Sequence, residues 1–321
     1  MTGGGPPEWA AGVGAWSAIC SLSSPTESPP QFGLDHGMKV GSPEFMNTMV
    51  GAAGVPLNNR THRKSLIVDG RIGFTGGAGI ADHWTGDAHD DQHWRDLQIR
   101  IEGPAVQPLQ TGFAQNWLEC TGELVTGPDF YPTLKPAGTV SLQTVMSSPE
   151  TGTSTVRVIY CLAISAARHS IEIANPYFVP DHLAIDLFRD AVKRGVRVRI
   201  MVAGAPNDNK IARLNSIRLY GALLEVGVEL LEYHRTMMHH KTMVVDGLWA
   251  TVGTTNFDNR SFAHNEESNV CLCDEDFSRE LNEMFADDVK ACEPVNLKAW
   301  RSRPLLDKAL QGLASFVQDQ V

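Results

Sequence analysis

From residue 58 onward, apolar and polar positions alternate in blocks, and the period changes from one block to the next. Ser65-Leu-Ile-Val-Asp and Ile72-Gly-Phe-Thr are short apolar runs separated by Asp69-Gly70, which predicts a strand pair joined by a tight turn. Pro104 to Glu119 changes to a helical period: Val106, Leu109, Phe113 and Trp117 fall on one face and Pro104 sits in the first turn. Pro128 to Gly138, with three prolines, reads as a linker. Beyond it the pattern alternates regularly. Helices are predicted over 155–168, 181–194 (capped by Asp181), 211–226 and 277–289, and strands over 170–174, 196–202, 228–232, 242–245 and 250–252. Short apolar strands interleaved with helices predict a layered α/β fold.

Residues 1–57 differ from the rest. They are rich in Gly, Pro, Ser and Ala, show no sustained period, and read as irregular. Within them, Gly41-Ser42-Pro43-Glu44-Phe45 resembles a translated cloning-site linker followed by a start at Met46; a natural flexible arm is the alternative. Among all 321 residues, 42% are hydrophobic and 20% charged, which excludes a disordered, collagen-like or coiled-coil chain. No apolar run reaches the roughly 18 residues a membrane-spanning helix needs, and the first residues lack the basic and apolar regions of a secretory signal. The expected location is therefore cytoplasmic, with any membrane contact peripheral. Six scattered cysteines without a Cys-x-x-Cys pair fit free thiols in a reducing compartment.

The net charge of −10 argues against a general grip on nucleic acid. Charge is nevertheless uneven. Lys193, Arg194, Arg197, Arg199, Lys210, Arg213 and Arg218 face only Asp208 between residues 191 and 220, whereas residues 263–292 carry nine acids. The basic stretch is either a surface for an anionic substrate or lipid, or an ordinary solvated face.

An internal repeat carries the candidate chemistry. His62-Arg-Lys-Ser-Leu-Ile-Val-Asp-Gly aligns with His239-His-Lys-Thr-Met-Val-Val-Asp-Gly at an offset of 177 residues, and Gly76 and Gly253 follow at equal distances. So long a repeat indicates a duplicated domain. On a strand, residues two apart share a face, so His62 pairs with Lys64 and His239 with Lys241. If the copies pack about a pseudo-twofold axis, two imidazoles and two ammoniums meet in one pocket. Ammoniums neutralise phosphodiester oxygens as charge develops, while one imidazole attacks and the other protonates the leaving oxygen.

With these motifs the chain resembles the phospholipase D superfamily, and within it bacterial cardiolipin synthases. The resemblance rests on Asn59 to Lys64 with Gly76-Gly77, on Trp94-Arg95-Asp96 with Glu102 to Val106, on Asn175 to Asp181, on Arg194-Gly195-Val196, and on His239 through Asn256 to Phe262. It covers residue 57 to the C-terminus. It implies two pseudo-symmetric α/β/α halves with the active site at their interface: a partial first half over 58–138 and a second over 139–321. It implies catalytic roles for His62, Lys64, Asp69, His239, Lys241 and Asp246. It also implies a carboxylate orienting each histidine, Asp96 in the first half and Glu267 in the second, and a phosphate site lined by Gly76, Gly77, Thr254, Thr255 and Asn256. The implied reaction moves a phosphatidyl group from a glycerophospholipid to an alcohol through a phosphohistidine, without metal or cofactor and without an obligate protein partner. A hydrolytic phospholipase D and an inactive lipid-binding relic are the alternatives. Strands expected before the first motif have no match in the 61 residues preceding His62, so the first half reads as truncated.

Three further groups fit no metal motif. His83, His89 and His93 lie among aspartates and read as a solvated loop. His239 and His240 face opposite sides of one strand. Cys271 and Cys273 share a strand face.

Overall fold

The computed structural model describes residues 60–149 and 154–316. The irregular stretch and linker-like motif assigned to residues 1–57 lie outside them. From Thr61 on the chain forms one compact unit, built around two sheets.

The smaller sheet is antiparallel: β1 (Ser65–Val68), β2 (Ile72–Gly76) and β3 (Gln98–Glu102) in chain order. Helix α1 (Val106–Thr121) follows, buries Val106 and Leu109, and ends at Gly122 in the left-handed conformation, φ 73°. The main sheet is assembled from β4 (Ser141–Ser147), β5 (Ser170–Ala174), β6 (Arg197–Ala203), β7 (Glu229–Tyr233), β8 (Lys241–Val245), β9 (Trp249–Gly253), β10 (Asn265–Cys273) and β11 (Cys292–Pro294). Their spatial order is β4, β10, β9, β8, β5, β6, β7, β11. Only β5, β6 and β7 run parallel. Their crossovers are α3 (His182–Lys193) and α4 (Lys210–Glu225), because parallel neighbours cannot be joined by a hairpin.

Helices cover both faces of the main sheet. On one side α2 (Thr155–Ala166), α3 and α4 bury Val156, Tyr160, Ile164, Ile185, Phe188 and Leu223 against Ile171, Ile173, Ile200 and Met243. On the other, Leu281 of α6 (Glu275–Val289) and Val106 and Leu109 of α1 pack on Val244, Ala250, Val252, Val270 and Leu272. The central strand β8 is buried along its whole length, as expected for a strand covered on both faces. Two short helices complete the chain, α7 (Leu297–Arg301) and α8 (Leu305–Ala314); α5 (Asn259–Ala263) lies between β9 and β10.

Most of the predicted elements fall within two residues of their observed bounds. Asp181 caps α3 by accepting the Ala184 N–H at 2.8 Å. Strands β3, β4 and β11 were not read in advance, β3 although Gln98-Ile-Arg-Ile-Glu alternates strictly, and β10 was read only at Cys271 and Cys273. The basic stretch 191–220 does not present an open cationic face. Arg197 and Arg199 pair with Glu172, Arg213 with Glu232, and Arg194 donates to the Ile164 and Ala167 carbonyls.

The fold also corrects the expectation that Asp69 and Asp246 are catalytic. Both occupy left-handed turns, φ 52° and 55°, each followed by a glycine with positive φ, the backbone of a type I′ hairpin. These turns cap the ends of β1 and β8 opposite to Lys64 and Lys241, about 17 Å along the strand. The Asp246 carboxylate accepts the backbone N–H groups of Arg168 (2.9 Å), His169 (2.7 Å) and Ser170 (2.9 Å), tying the β8–β9 turn to the start of β5. Burial would raise its pKa, but these three donors hold it below the ordinary value. Asp246→Ala should therefore cost about 1–3 kcal/mol in urea unfolding while leaving turnover per folded molecule unchanged; a stable but inactive variant would return Asp246 to the reaction.

Candidate active site

The two His-x-Lys motifs lie at the strand ends facing away from those turns. His239 directly precedes β8, and His62 lies just before β1. Beside them is the carboxyl end of β5, where Asn175 accepts the Phe257 N–H (3.1 Å) and donates to the Thr255 carbonyl (3.3 Å). That pair of bonds locks the Asn175–Phe178 segment to the Thr254–Phe257 segment. Ligands of open α/β sheets bind at such carboxyl ends.

Each imidazole is held by a carboxylate, and the pairs cross between the two motifs. His62 Nδ1 lies 2.9 and 3.0 Å from the Glu267 oxygens. His239 Nδ1 lies 2.9 Å from Asp96 Oδ2. This corrects the expectation that Asp96 serves the first histidine and Glu267 the second. The backbone repeats the crossing: the His62 N–H donates to the Glu266 carbonyl (2.9 Å), and the His239 N–H to the Arg95 carbonyl (2.8 Å). Each histidine is thus bonded both to the orienting carboxylate and to the carbonyl just before it. With Nδ1 donating to a carboxylate, Nε2 is the nitrogen left for chemistry.

Further donors fix the carboxylates, which sequence reasoning had not identified. Asp96 also accepts Trp84 Nε1 (2.9 Å) and the Leu97 N–H (2.7 Å). Glu267 also accepts the Thr254 hydroxyl (2.5 Å) and Asn265 Nδ2 (3.2 Å). Trp84 belongs to the loop read as solvated. There His83 stacks between Trp84 and Trp94, 4.1 Å from each, and both indoles lie against His239. The aromatic run His83-Trp84…Trp94 was the available signal. Farther along the loop, His89, Asp90 and His93 bring ligand atoms within 4.8 Å of one another, but in an exposed cluster bonded internally. Tyr177 contributes another wall, its hydroxyl donating to Asp208 and its ring 6.3 Å from that of His239.

The glycines act through close approach. A Cβ at Gly77 would come within 2.2 Å of Asp96 Oδ1 and 2.8 Å of the His239 carbonyl oxygen. One at Gly253 would come within 2.4 Å of Asn269 Oδ1. Gly76 is equally confined, against the Leu97 carbonyl. Thr254 serves Glu267, and Thr255 donates to Asn269 Oδ1 (2.6 Å). Asn256 is buried and its Oδ1 has no hydrogen-bond partner among the described residues.

The lysines are placed alike. Lys64 Nζ donates to the His62 carbonyl (3.1 Å), and Lys241 Nζ to the His239 carbonyl while lying 3.0 Å from Nε2 of the ring. Lys241 is fully buried, and burial lowers its pKa to about 7 against the pull of Asp96. Burial also lowers Lys64, with Glu267 and Asp96 opposing. Burial first, and the Lys241 charge second, lower His239 to about 4. Asp96 moves the other way: burial would raise it, but the hydrogen bond and charge of His239, with Lys241, hold it at about 2. Lys64 also acts on His239 and on Lys241, so both copies of the motif share one electrostatic centre.

Comparisons with known proteins place the chain among its relatives. Residues 160–289 match the family described as cardiolipin synthase, PLD-like domain. A cardiolipin synthase 2 of Staphylococcus epidermidis is 35% identical over 265 residues, 81% of this chain and 54% of its own length. A cardiolipin synthase of Staphylococcus aureus is 33% identical over 263 residues, 81% of this chain and 53% of its own. The chain thus spans about half the length of the curated relatives it matches. A crystal structure of phosphatidylserine synthase from Haemophilus influenzae superposes with a TM-score of 0.62 at 15% identity, covering 84% of this chain and 74% of that one, which shows the fold. The chain belongs to the phospholipase D superfamily. Within it, the chain is similar to the bacterial cardiolipin synthases.

Two measurements follow from the crossed pairs and the buried ring. In double-mutant cycles on unfolding, Asp96→Asn should couple to His239→Gln more strongly than to His62→Gln, and Glu267→Gln to His62→Gln more strongly than to His239→Gln. The opposite ranking in either cycle would refute the crossing. Burial and the Lys241 charge lower the folded-state pKa of His239 from 6.5 to about 4, so the unfolded chain binds the proton more readily between those values. Stability from the neutral ring is present above 6.5 and drains away as pH falls toward 4. The thermal midpoint should drop across that window in the parent and less steeply in His239→Gln; parallel curves would contradict it.

Proposed function

We propose that the chain is a phosphatidyltransferase that moves a phosphatidyl group between a glycerophospholipid and an alcohol, with phosphatidylglycerol as both donor and acceptor and cardiolipin as product. The observation that carries this reading is the meeting of two carboxylate-oriented imidazoles with a buried and a half-buried ammonium in one site. Nothing in such a set discriminates by redox or acyl chemistry; it fits a tetrahedral anion attacked on one side and protonated on the other.

In the proposed cycle, Nε2 of His62 attacks phosphorus. Its side chain is the more accessible of the two, 27% exposed against 7% for His239. A phosphorus–nitrogen bond forms, the bond to the glycerol oxygen breaks, and His239 Nε2–H supplies the proton that oxygen takes up. Glu267 stabilises the charge that accumulates on His62. Lys64 and Lys241 face the non-bridging oxygens, where negative charge grows. The acceptor hydroxyl then loses its proton to His239 and attacks phosphorus, releasing His62. An empty site holds His239 neutral; a bound phosphodiester anion beside it favours the imidazolium and equips it as the acid. Among the described residues no helix is long and apolar enough to cross a membrane; a lipid substrate is then met at the bilayer surface.

The deciding experiment incubates the protein with phosphatidylglycerol vesicles and separates the products. Cardiolipin and free glycerol are expected, phosphatidic acid would indicate hydrolysis, and unchanged lipid would defeat the reading. With a p-nitrophenyl phosphodiester, whose leaving group needs no proton, His239→Ala should still release a burst of nitrophenolate and carry the phosphoryl adduct by intact mass. His62→Ala should do neither; the opposite result would exchange the two roles. On short-chain phosphatidylglycerol, the limb that requires protonated His239 should lie at higher pH in kcat than in kcat/KM, because substrate raises the pKa from about 4. Coincident limbs would exclude that coupling.

A further inference from the structure

Consecutive side chains on extended backbone point to opposite faces, so the residue next to each member of the His239–Asp96 pair is directed away from the site. Those neighbours are His240 and Arg95, and both end at one residue, Asp288 in the last turn of α6. Arg95 Nε donates to Asp288 Oδ1 (2.9 Å) and Oδ2 (3.1 Å). His240 Nε2 lies 3.6 Å from Asp288 Oδ2, and neither ring nitrogen of His240 has a hydrogen-bond partner among the described residues. Asp288 and His240 are both buried. The reverse face of the site thus carries a second histidine–carboxylate contact, displaced by one residue from the first.

Arg95 connects that contact to the site through its own backbone. Its N–H donates to the Met237 carbonyl (2.8 Å) and its carbonyl accepts the His239 N–H (2.8 Å), so residue 95 is bridged between residues 237 and 239. Its chain neighbours are Trp94, whose ring lies 5.4 Å from that of His239, and Asp96, which holds His239 Nδ1. Arg95 Nη1 also reaches Asp87, in the loop that supplies Trp84 to Asp96. The segments that hold His239 therefore meet at a single guanidinium, and α6 holds the guanidinium.

A buried ion pair adds little net stability over an apolar pair of similar volume, so Arg95 and Asp288 are poorly explained as core filling. What they supply is direction. A planar guanidinium held at Nε by one carboxylate and at Nη1 by another cannot pivot. Burial would raise the pKa of Asp288, but His240 and Arg95 outweigh it and hold the carboxyl below its ordinary value, so the anion that this grip requires persists. Direction matters here because a misplacement of about 1 Å arising far from the chemistry can cost on the order of 100-fold in rate.

We propose that Asp288 is a positioning residue for the reaction: from α6, through Arg95 and against His240, it fixes Asp96 and His239 in the geometry that proton transfer requires. This deepens the transferase reading and rests on it for the role of His239 as the acid; the clamp itself rests on the contacts above.

The test separates proton transfer from the rest of the site. Asp288→Asn and Arg95→Lys are compared with the parent and with Asp246→Ala, whose lost contacts lie at the far end of β8. Asparagine keeps the shape of aspartate without its charge, and lysine keeps the charge but cannot span two carboxylates, so failure of one variant to fold leaves the other to decide. On short-chain phosphatidylglycerol, whose leaving glycerol oxygen needs a proton, kcat should fall by about tenfold or more in both variants with KM little changed. On the p-nitrophenyl phosphodiester, whose leaving group needs none, the burst should keep the parental rate. Asp246→Ala should show neither loss per folded molecule. Equal losses on the two substrates in the folded variants would mean a general disturbance and overturn the proposal, as would parental kcat on both. A second readout needs no substrate: in urea unfolding, Asp288→Asn should couple to Asp96→Asn and not to Glu267→Gln. Coupling to neither, or to both alike, would overturn the proposal. If no form turns over either substrate, the transferase reading fails and the unfolding cycles alone decide whether the clamp exists.

Discussion

The site depends on placing two carboxylates and the Lys241 ammonium out of water together, with Lys64 half-buried beside them. Glu267 and Lys241 are wholly buried, and Asp96 nearly so. An isolated buried charge is costly, and removing one partner of a buried pair is strongly destabilising. The crossed arrangement meets this constraint by giving each carboxylate more than one partner. Asp96 is bound by His239, Trp84 and the Leu97 amide; Glu267 by His62, Thr254 and Asn265. The glycines follow from the same requirement: Asp96 can approach the His239 backbone only because residue 77 has no side chain.

The surrounding fold serves to deliver these groups to one point. Strand β8 carries Lys241 at one end and the Asp246 turn at the other, and Asp246 fastens that turn to the start of β5. At the opposite end of β5, Asn175 fastens the loop that carries Thr254 to Asn256. Strand β5 is thus pinned at both ends, to the β8–β9 turn at its start and to the segment following β9 at its carboxyl end. The loop bearing Trp84 and Trp94 flanks this arrangement, its three rings in tilted and edge-on contact with one another and both indoles against His239.

Much of this was legible in the sequence. The 3.6-residue pattern of 181–194 and the apolar runs at 170–174 and 242–245 are strong because those segments are buried against the core, where period and burial coincide. The histidines and lysines were readable because a repeated His-x-Lys on a strand places both side chains on one face. The aspartates ending the same motif were misread: within a sequence pattern, a residue kept for a left-handed turn is indistinguishable from one kept for chemistry. The partner of each histidine was also misassigned. Nearness along the chain favours pairing His62 with Asp96, whereas the actual partner of His62 lies 205 residues away and is selected by the packing of two sheets. Trp84 went unnoticed because its loop has no period.

The crossing of the pairs also bears on how the molecule comes into being. During synthesis, the first motif emerges well before the carboxylate that will orient it, and Lys64 has no Glu267 beside it until β10 has been made. Until then, closing the first motif into a dry pocket would strand its charge, so water must remain there. Each pair joins segments far apart in the chain, 205 residues for His62 and Glu267 and 143 for His239 and Asp96. A segment carrying one motif alone therefore leaves its histidine without the carboxylate that orients it, and the two motifs hold their geometry only as a pair.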